Sequence, residues 1–189
     1  MAKKNTMTVQ EYKDSLNNVL IPFKKRELER TKKFIADYIA AVKSKDMTPE
    51  EKAAIFNQRD NFDSIGGKVI NANEYCRNLE TEIEKLEAEA APTDQKFFNM
   101  HLNNDIIPYA CVKEFTPNKV GVVRMRTLAA PDSGGIGHQD WICTKPDDWT
   151  EDDMIILTRR KNGLFYEVGD KSCPCTVSTE PVHYYDWSF

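Results

Sequence analysis

Between Glu50 and Ala90 the core positions recur at alternating intervals of four and three. They are Ile55, Gln58, Phe62, Ile65, Val69, Ala72, Cys76, Leu79, Ile83, Leu86 and Ala90, with Gln58 the one polar member. So narrow a stripe is the a/d seam of a coiled coil rather than the wider face of an ordinary core helix. As one helix the stretch would form a rod on the order of 60 Å long, at ~1.5 Å per residue. Its seam must be buried against another helix, from the same chain or from another copy.

Upstream, Thr8 with Glu11 three residues later predicts a capped helix start. Val9, Tyr12, Leu16 and Val19 then keep three–four spacing, and Leu28, Thr31, Ile35, Tyr38 and Val42 resume it in a new phase. Pro22 lies where the phase jumps, which predicts a kink or short break there. Thr48-Pro49-Glu50-Glu51 predicts the next start: a capping threonine, proline in the first turn, and acids at the positive end of the helix dipole. A short turn near 45–49 predicts a hairpin that folds 23–46 back on 50–70. Gly66-Gly67 costs roughly 2 kcal/mol of helix and marks a break or a close helix approach. A hairpin centred near residue 47 sets residue 80 opposite residue 15, already past the Pro22 break. The last turns then lack a partner in their own chain. That predicts self-association through Phe62, Ile65, Val69, Ala72, Cys76, Leu79, Ile83 and Leu86.

Beyond Pro92-Thr93-Asp94 the period changes from three-and-a-half to two. Residues 95–104 read as a polar linker, and 105–189 as β. Strands are predicted at 107–115, 120–128, 141–144, 154–160, 164–168, 175–178 and 182–187. Thr116-Pro117-Asn118-Lys119 and Lys161-Asn162-Gly163 are the turn signals, and 145–153 is an acidic loop or single helical turn. The fold class is therefore α+β: an N-terminal helical hairpin or coiled-coil stalk over 1–94, then a small antiparallel β-sandwich or barrel head.

Charge refines this outline. The chain of 189 residues carries a net charge of −4 with charged residues at 30%, as long solvated helices require. Residues 1–104 hold 17 Lys/Arg and 17 Asp/Glu, whereas 105–189 hold 9 and 13, so the β half is acidic and a poor match for phosphate-rich partners. No apolar run approaches the roughly 18 residues of a membrane span. The start Met1-Ala-Lys-Lys-Asn has no secretory h-region. With five cysteines, an odd number, this predicts cytoplasmic synthesis and free thiols.

Candidate chemistry is thin. Gly134-Gly135-Ile136-Gly137 lacks the Lys-Ser/Thr of a P-loop and the spacing of a dinucleotide fingerprint, so it reads as a β–β loop. Cys173, Cys175, Cys143 and His138 lack the two-to-four-residue ligand gap of a zinc site, so these thiols read as structural. His101, His138 and His183 have no nucleophile beside them in sequence. No cofactor and no enzymatic activity are expected. Lys24, Lys25, Arg26, Arg30, Lys32 and Lys33 form the wet face of an amphipathic helix, available to an acidic protein partner. Glu80, Glu82, Glu87 and Glu89 fall at e and g positions, where they would repel in a parallel homodimer; the basic stretch 24–33 of another copy would satisfy them.

These features predict a structural or assembly protein that oligomerises or docks through its stalk and presents a β head, with a phage fibre or virion accessory protein as one setting. A second expectation starts from Asp46, Glu50 and Glu51 at the hairpin tip. A helical hairpin with an acidic tip followed by a β domain resembles, in outline, the bacterial Gre transcript-cleavage factors, which implies a polymerase-binding role. The tip Lys45-Asp46-Met47-Thr48-Pro49 departs from their acidic turn. Finally, Val182 to Phe189 holds four aromatics in eight residues. It reads as a last strand to 187, with Trp187, Ser188 and Phe189 as a partner contact.

Overall fold

Thr8 and Glu11 exchange both capping hydrogen bonds and open helix α1 (Val9–Ser15). A single π-helical turn, Leu16–Leu20, leads into α2 (Ile21–Lys43). The expected break is this turn rather than an interruption. Pro22 has no N–H to give the carbonyl four residues back, and a π turn absorbs that loss without ending the helix. Thr48 and Glu51 repeat the capping pattern at α3 (Pro49–Phe56), and α4 runs over Ile65–Ala90. The computed structural model describes residues 7–56, 65–131 and 140–185, with backbone alone for 56 and 65–70.

By internal contacts the chain forms two units, residues 17–86 and residues 1–16 with 87–189. The first is helical. Leu28 of α2 is buried together with Cys76, Leu79 and Ile83 of α4, with Ile35 and Tyr75 against them. Phe34 and Tyr38 close over Ala72. Lys24 pairs with Glu82 at 3.0 Å and Lys32 with Glu80 at 2.8 Å. The midpoints of these pairs are residues 53 and 56, in α3, not residue 47. The shift of register corrects two expectations. The last turns of the seam have an intramolecular partner, and the cations of 24–33 meet the glutamates of α4 within one chain.

The second unit holds a closed antiparallel barrel of six strands: β1 (Phe97–Leu102), β2 (Asp105–Thr116), β3 (Lys119–Arg124), β6 (Ile155–Arg159), β7 (Phe165–Glu167) and β8 (Cys175–Ser178), in that order around the wall. β8 returns to β1 with Phe97 opposite Ser178 and Met100 opposite Cys175. Strand β1 occupies the stretch expected to be linker. Its run Phe97-Phe98-Asn99-Met100 has buried residues on both faces, so it does not alternate. The interior is filled by Phe98, Met100, Tyr109, Cys111, Val120, Val122, Leu157, Phe165 and Cys175. At Met125, whose N–H donates to the Pro108 carbonyl, the chain leaves the barrel wall. It forms a separate two-stranded ribbon, β4 (Arg126–Ala129) with β5 (Trp141–Thr144). Thus the single strand expected over 120–128 is two. Ala110, Val123 and Met125 make a second core outside the wall, with Cys143, Trp149 and Met154 against it.

Candidate functional site

A dense cluster of polar side chains lies at one end of the barrel. Lys96, just ahead of β1, is 4% exposed. Its Nζ donates to the Glu89 carbonyl and to Glu114 Oε2, both at 2.8 Å. The first bond satisfies a carbonyl that the end of α4 leaves without an intrahelical partner. Glu114 Oε1 accepts from Lys13 Nζ and from Thr93 Oγ1, both at 2.7 Å. Glu89 Oε2 accepts from the Tyr12 hydroxyl at 2.5 Å and pairs with Arg159 at 2.8 Å. The Arg159 guanidinium also donates to the Tyr12 oxygen at 3.2 Å and lies 4.8 Å from the Phe165 ring centre.

Glu114 reaches this cluster because of a register shift. Strict alternation from inward-facing Cys111 would turn Lys113 inward. A β-bulge between Cys111 and Lys113 sets Glu114 opposite inward-facing Val120 instead. Burial pushes the Glu114 carboxyl upward in pKa, but the hydrogen bonds from Lys13, Lys96 and Thr93 outweigh it and hold it below the usual range. Burial lowers the Lys96 pKa and, helped by Glu89, raises that of Tyr12.

The small cleft here has a volume of about 10 Å³ and is lined by Tyr12, Glu89, Lys96, Glu114 and Arg159 with barrel side chains. That is room for about one water molecule. A catalytic acid or base must come within hydrogen-bond reach of a substrate, and in this geometry the carboxylates are engaged by neighbours. The arrangement ties α1, the end of α4, β2 and β6 together as a clasp. Two larger surface clefts, of about 280 and 250 Å³, lie beside Cys76 with Arg77 and beside Trp149 with Arg124.

The sequence-selected residues are distributed otherwise. Ala72, Cys76, Leu79 and Ile83 are buried inside the helix pair and Leu86 is half-buried. Phe62 lies outside the described residues, as do the side chains of Ile65 and Val69. Trp187, Ser188 and Phe189, the loop Gly134–Gly137 and His138 also lie outside them. The tail up to Tyr185 is not a core strand. Tyr184 forms one bridge to Ile106, with backbone bonds of 2.9 and 3.0 Å, and Tyr184 and Tyr185 are exposed. His183 Nδ1 donates to the Ile106 carbonyl at 3.0 Å, and the ring meets Trp141 edge-on at 4.3 Å. Only donation is open to a ring nitrogen facing a carbonyl, so Nδ1 carries the proton. Among the described residues no group of three or more His, Cys, Asp or Glu side chains could hold a metal ion. Burial raises the thiol pKa of Cys111 to about 11 and of Cys175 to about 12, so neither supplies a thiolate nucleophile at neutral pH. At the hairpin tip Glu51 serves as the capping partner of Thr48.

Among the described residues some exposed apolar side chains are neighbours of one another. Leu128 and Ile142 face each other across the ribbon, 69% and 50% exposed. Val19 and Phe23, four residues apart, are exposed on the helix at the start of the helical unit. No signal in the local sequence distinguishes these from core positions, because an apolar residue in a strand or helix reads the same whichever way it faces.

No protein-family model matches this chain, and neither a curated protein nor a solved structure matches it.

Proposed function

We propose that this chain is a non-enzymatic assembly protein that associates with copies of itself and with other proteins of a larger structure. The observation that carries the reading is the Leu128–Ile142 pair, two large aliphatic side chains directly opposite on the outer face of a ribbon. Cross-strand aliphatic pairs stabilise a sheet when buried, and exposed ones are suited to burial against a partner. The aromatic tail extends the same logic, with Trp187, Ser188 and Phe189 as contact residues. A helical unit and a barrel unit in one chain suit components of large assemblies, and a phage fibre or virion accessory protein is the setting proposed, by analogy of architecture. Association by the inner seam is not part of the reading for Ala72, Cys76, Leu79 and Ile83, which α2 already covers. The Gre-like alternative is less favoured, since Glu51 has a local capping role.

The test is sedimentation of the full chain over a concentration series, beside Leu128→Asp. The wild type is expected to associate, and the variant to remain smaller with an unchanged melting temperature, because Leu128 is exposed. A wild type that stays monomeric at about 100 µM, where interfaces of micromolar affinity would be filled, overturns the proposal.

A further inference from the structure

The N-terminal arm is an element attached by few contacts to a place that cannot stand empty. Helix α1 has no buried residue. Two side chains anchor it to the barrel end: Tyr12, which donates to Glu89 and lies beside Arg159, and Lys13, which pairs with Glu114 at 2.7 Å. The receiving groups are buried. The side chains of Glu89 and Glu114 are 4% and 8% exposed, and Arg159 Nε has no hydrogen-bond partner. If the arm left, Glu89 would lose its tyrosine and Glu114 one of its two lysines, in a setting where unpaired charge is costly.

The arm is also built to move as a piece. The Thr8–Glu11 capping box closes its helix at the N-terminal end without help from the barrel. At its other end lies the π-helical turn Leu16–Leu20, with Pro22 two residues beyond it. Helices bend where such turns and prolines interrupt the hydrogen-bond ladder. The boundary between the two units falls within that same turn, between residues 16 and 17.

We infer that the arm is exchanged between copies, so that in the assembled protein Tyr12 and Lys13 of one chain fill the Glu89, Glu114 and Arg159 socket of a second. This rests on the self-association proposed above. The contacts are identical whether the arm is its own or a neighbour's, so concentration and the state of the hinge decide between them. Each copy then contributes residues to the other's clasp, and every socket remains filled.

The Lys13–Glu114 pair supplies its own probe. A carbodiimide activates a carboxylate and a lysine amine in contact displaces the resulting urea, joining the two side chains as an amide. Protein at natural nitrogen isotope abundance and ¹⁵N-labelled protein are mixed in equal amounts in denaturant and refolded together. The mixture is coupled, the oligomer isolated, and cross-linked peptides read by mass. Lys96–Glu114 is the same-chain control, at 2.8 Å. Arm exchange predicts that about half of the Lys13–Glu114 peptides in the oligomer carry one light and one heavy partner, as random pairing requires, while Lys96–Glu114 peptides stay uniform. Uniform Lys13–Glu114 peptides in a genuine oligomer overturn arm exchange and leave self-association standing. Control peptides without any Lys13–Glu114 product also overturn it. A chain that forms no oligomer overturns both.

Discussion

At Gly121 a single methyl group would collide with a neighbour. A Cβ there would lie 2.3 Å from Met154 Sδ and 3.0 Å from its Cγ, because Met154 lies across the outer face of the barrel wall. Gly121→Ala is expected to cost about 1–3 kcal/mol, the usual range for overpacking. Met154→Ala in the same chain should recover part of it, since the obstacle is one flexible side chain. Denaturant melts of both singles and the double variant check this; strictly additive losses would mean that Met154 is not the obstacle. Glu114 makes a different prediction. Its folded pKa is depressed relative to the ordinary 4.5. The stability it contributes is therefore fully present above its unfolded value and is lost as pH falls through the folded one. Wild-type melting temperature should fall on going from about pH 6 to about pH 3, and Glu114→Gln should show a shallower fall while starting lower at pH 6. Parallel pH profiles would contradict the assignment.

At the scale of elements, what was legible in the sequence were starts and periods. Thr8 with Glu11 and Thr48 with Glu51 mark helix starts because capping is local chemistry, satisfied within four residues. The turn at Lys161-Asn162-Gly163 was visible for the same reason: Gly163 has a φ of 80°, which glycine tolerates. What was not legible depends on pairing between distant segments. A heptad seam specifies that α4 needs a partner but not the offset at which α2 meets it. Leu28 packing beside Leu79 is a property of both helices. The clasp was hidden for a related reason. Glu114 faces the barrel end because of a bulge, and a bulge is invisible to a count of alternate residues. Glu89 looked like one more e/g glutamate until Arg159, seventy residues on, came beside it. Strand β1 was missed because its doubly buried stretch has no period at all. The helix pair yields the element-scale prediction. Leu79 is 2% exposed, and Leu79→Asp places an unpaired carboxylate in its core. A loss of at least about 3 kcal/mol is expected for the helical unit, read as a lower midpoint in far-ultraviolet dichroism.

Each of the two units has buried clusters of its own, between helices in one and inside and outside the barrel wall in the other, and the chain crosses between the units at 16/17 and at 86/87. No tryptophan falls within residues 17–86 of the sequence, so tryptophan fluorescence does not report the helical unit. Leu79→Asp should therefore lower the dichroism midpoint well before it changes the fluorescence midpoint. Coincident shifts of equal size would show instead that the two cores melt as one cooperative body.

Closure of the barrel has a mechanical consequence. Strand β8 runs antiparallel to β1, and Phe97, the first residue of one, is opposite Ser178, the last residue of the other. The chain enters the wall and leaves it at the same corner. A pull on the polymer from both sides would first free the tail at Tyr184–Ile106, next the bonds of Asn99 to Val182 and Glu180, and then act on that corner. Load would reach the Phe97–Ser178 pair before the Met100–Cys175 pair, and the seam would open like a zip, one hydrogen-bonded rung at a time. Strands loaded along their length resist with all rungs together; this pair cannot. Under tension the molecule would lengthen at low force by peeling its tail and its last strand, and so act as a slack link rather than a rigid strut.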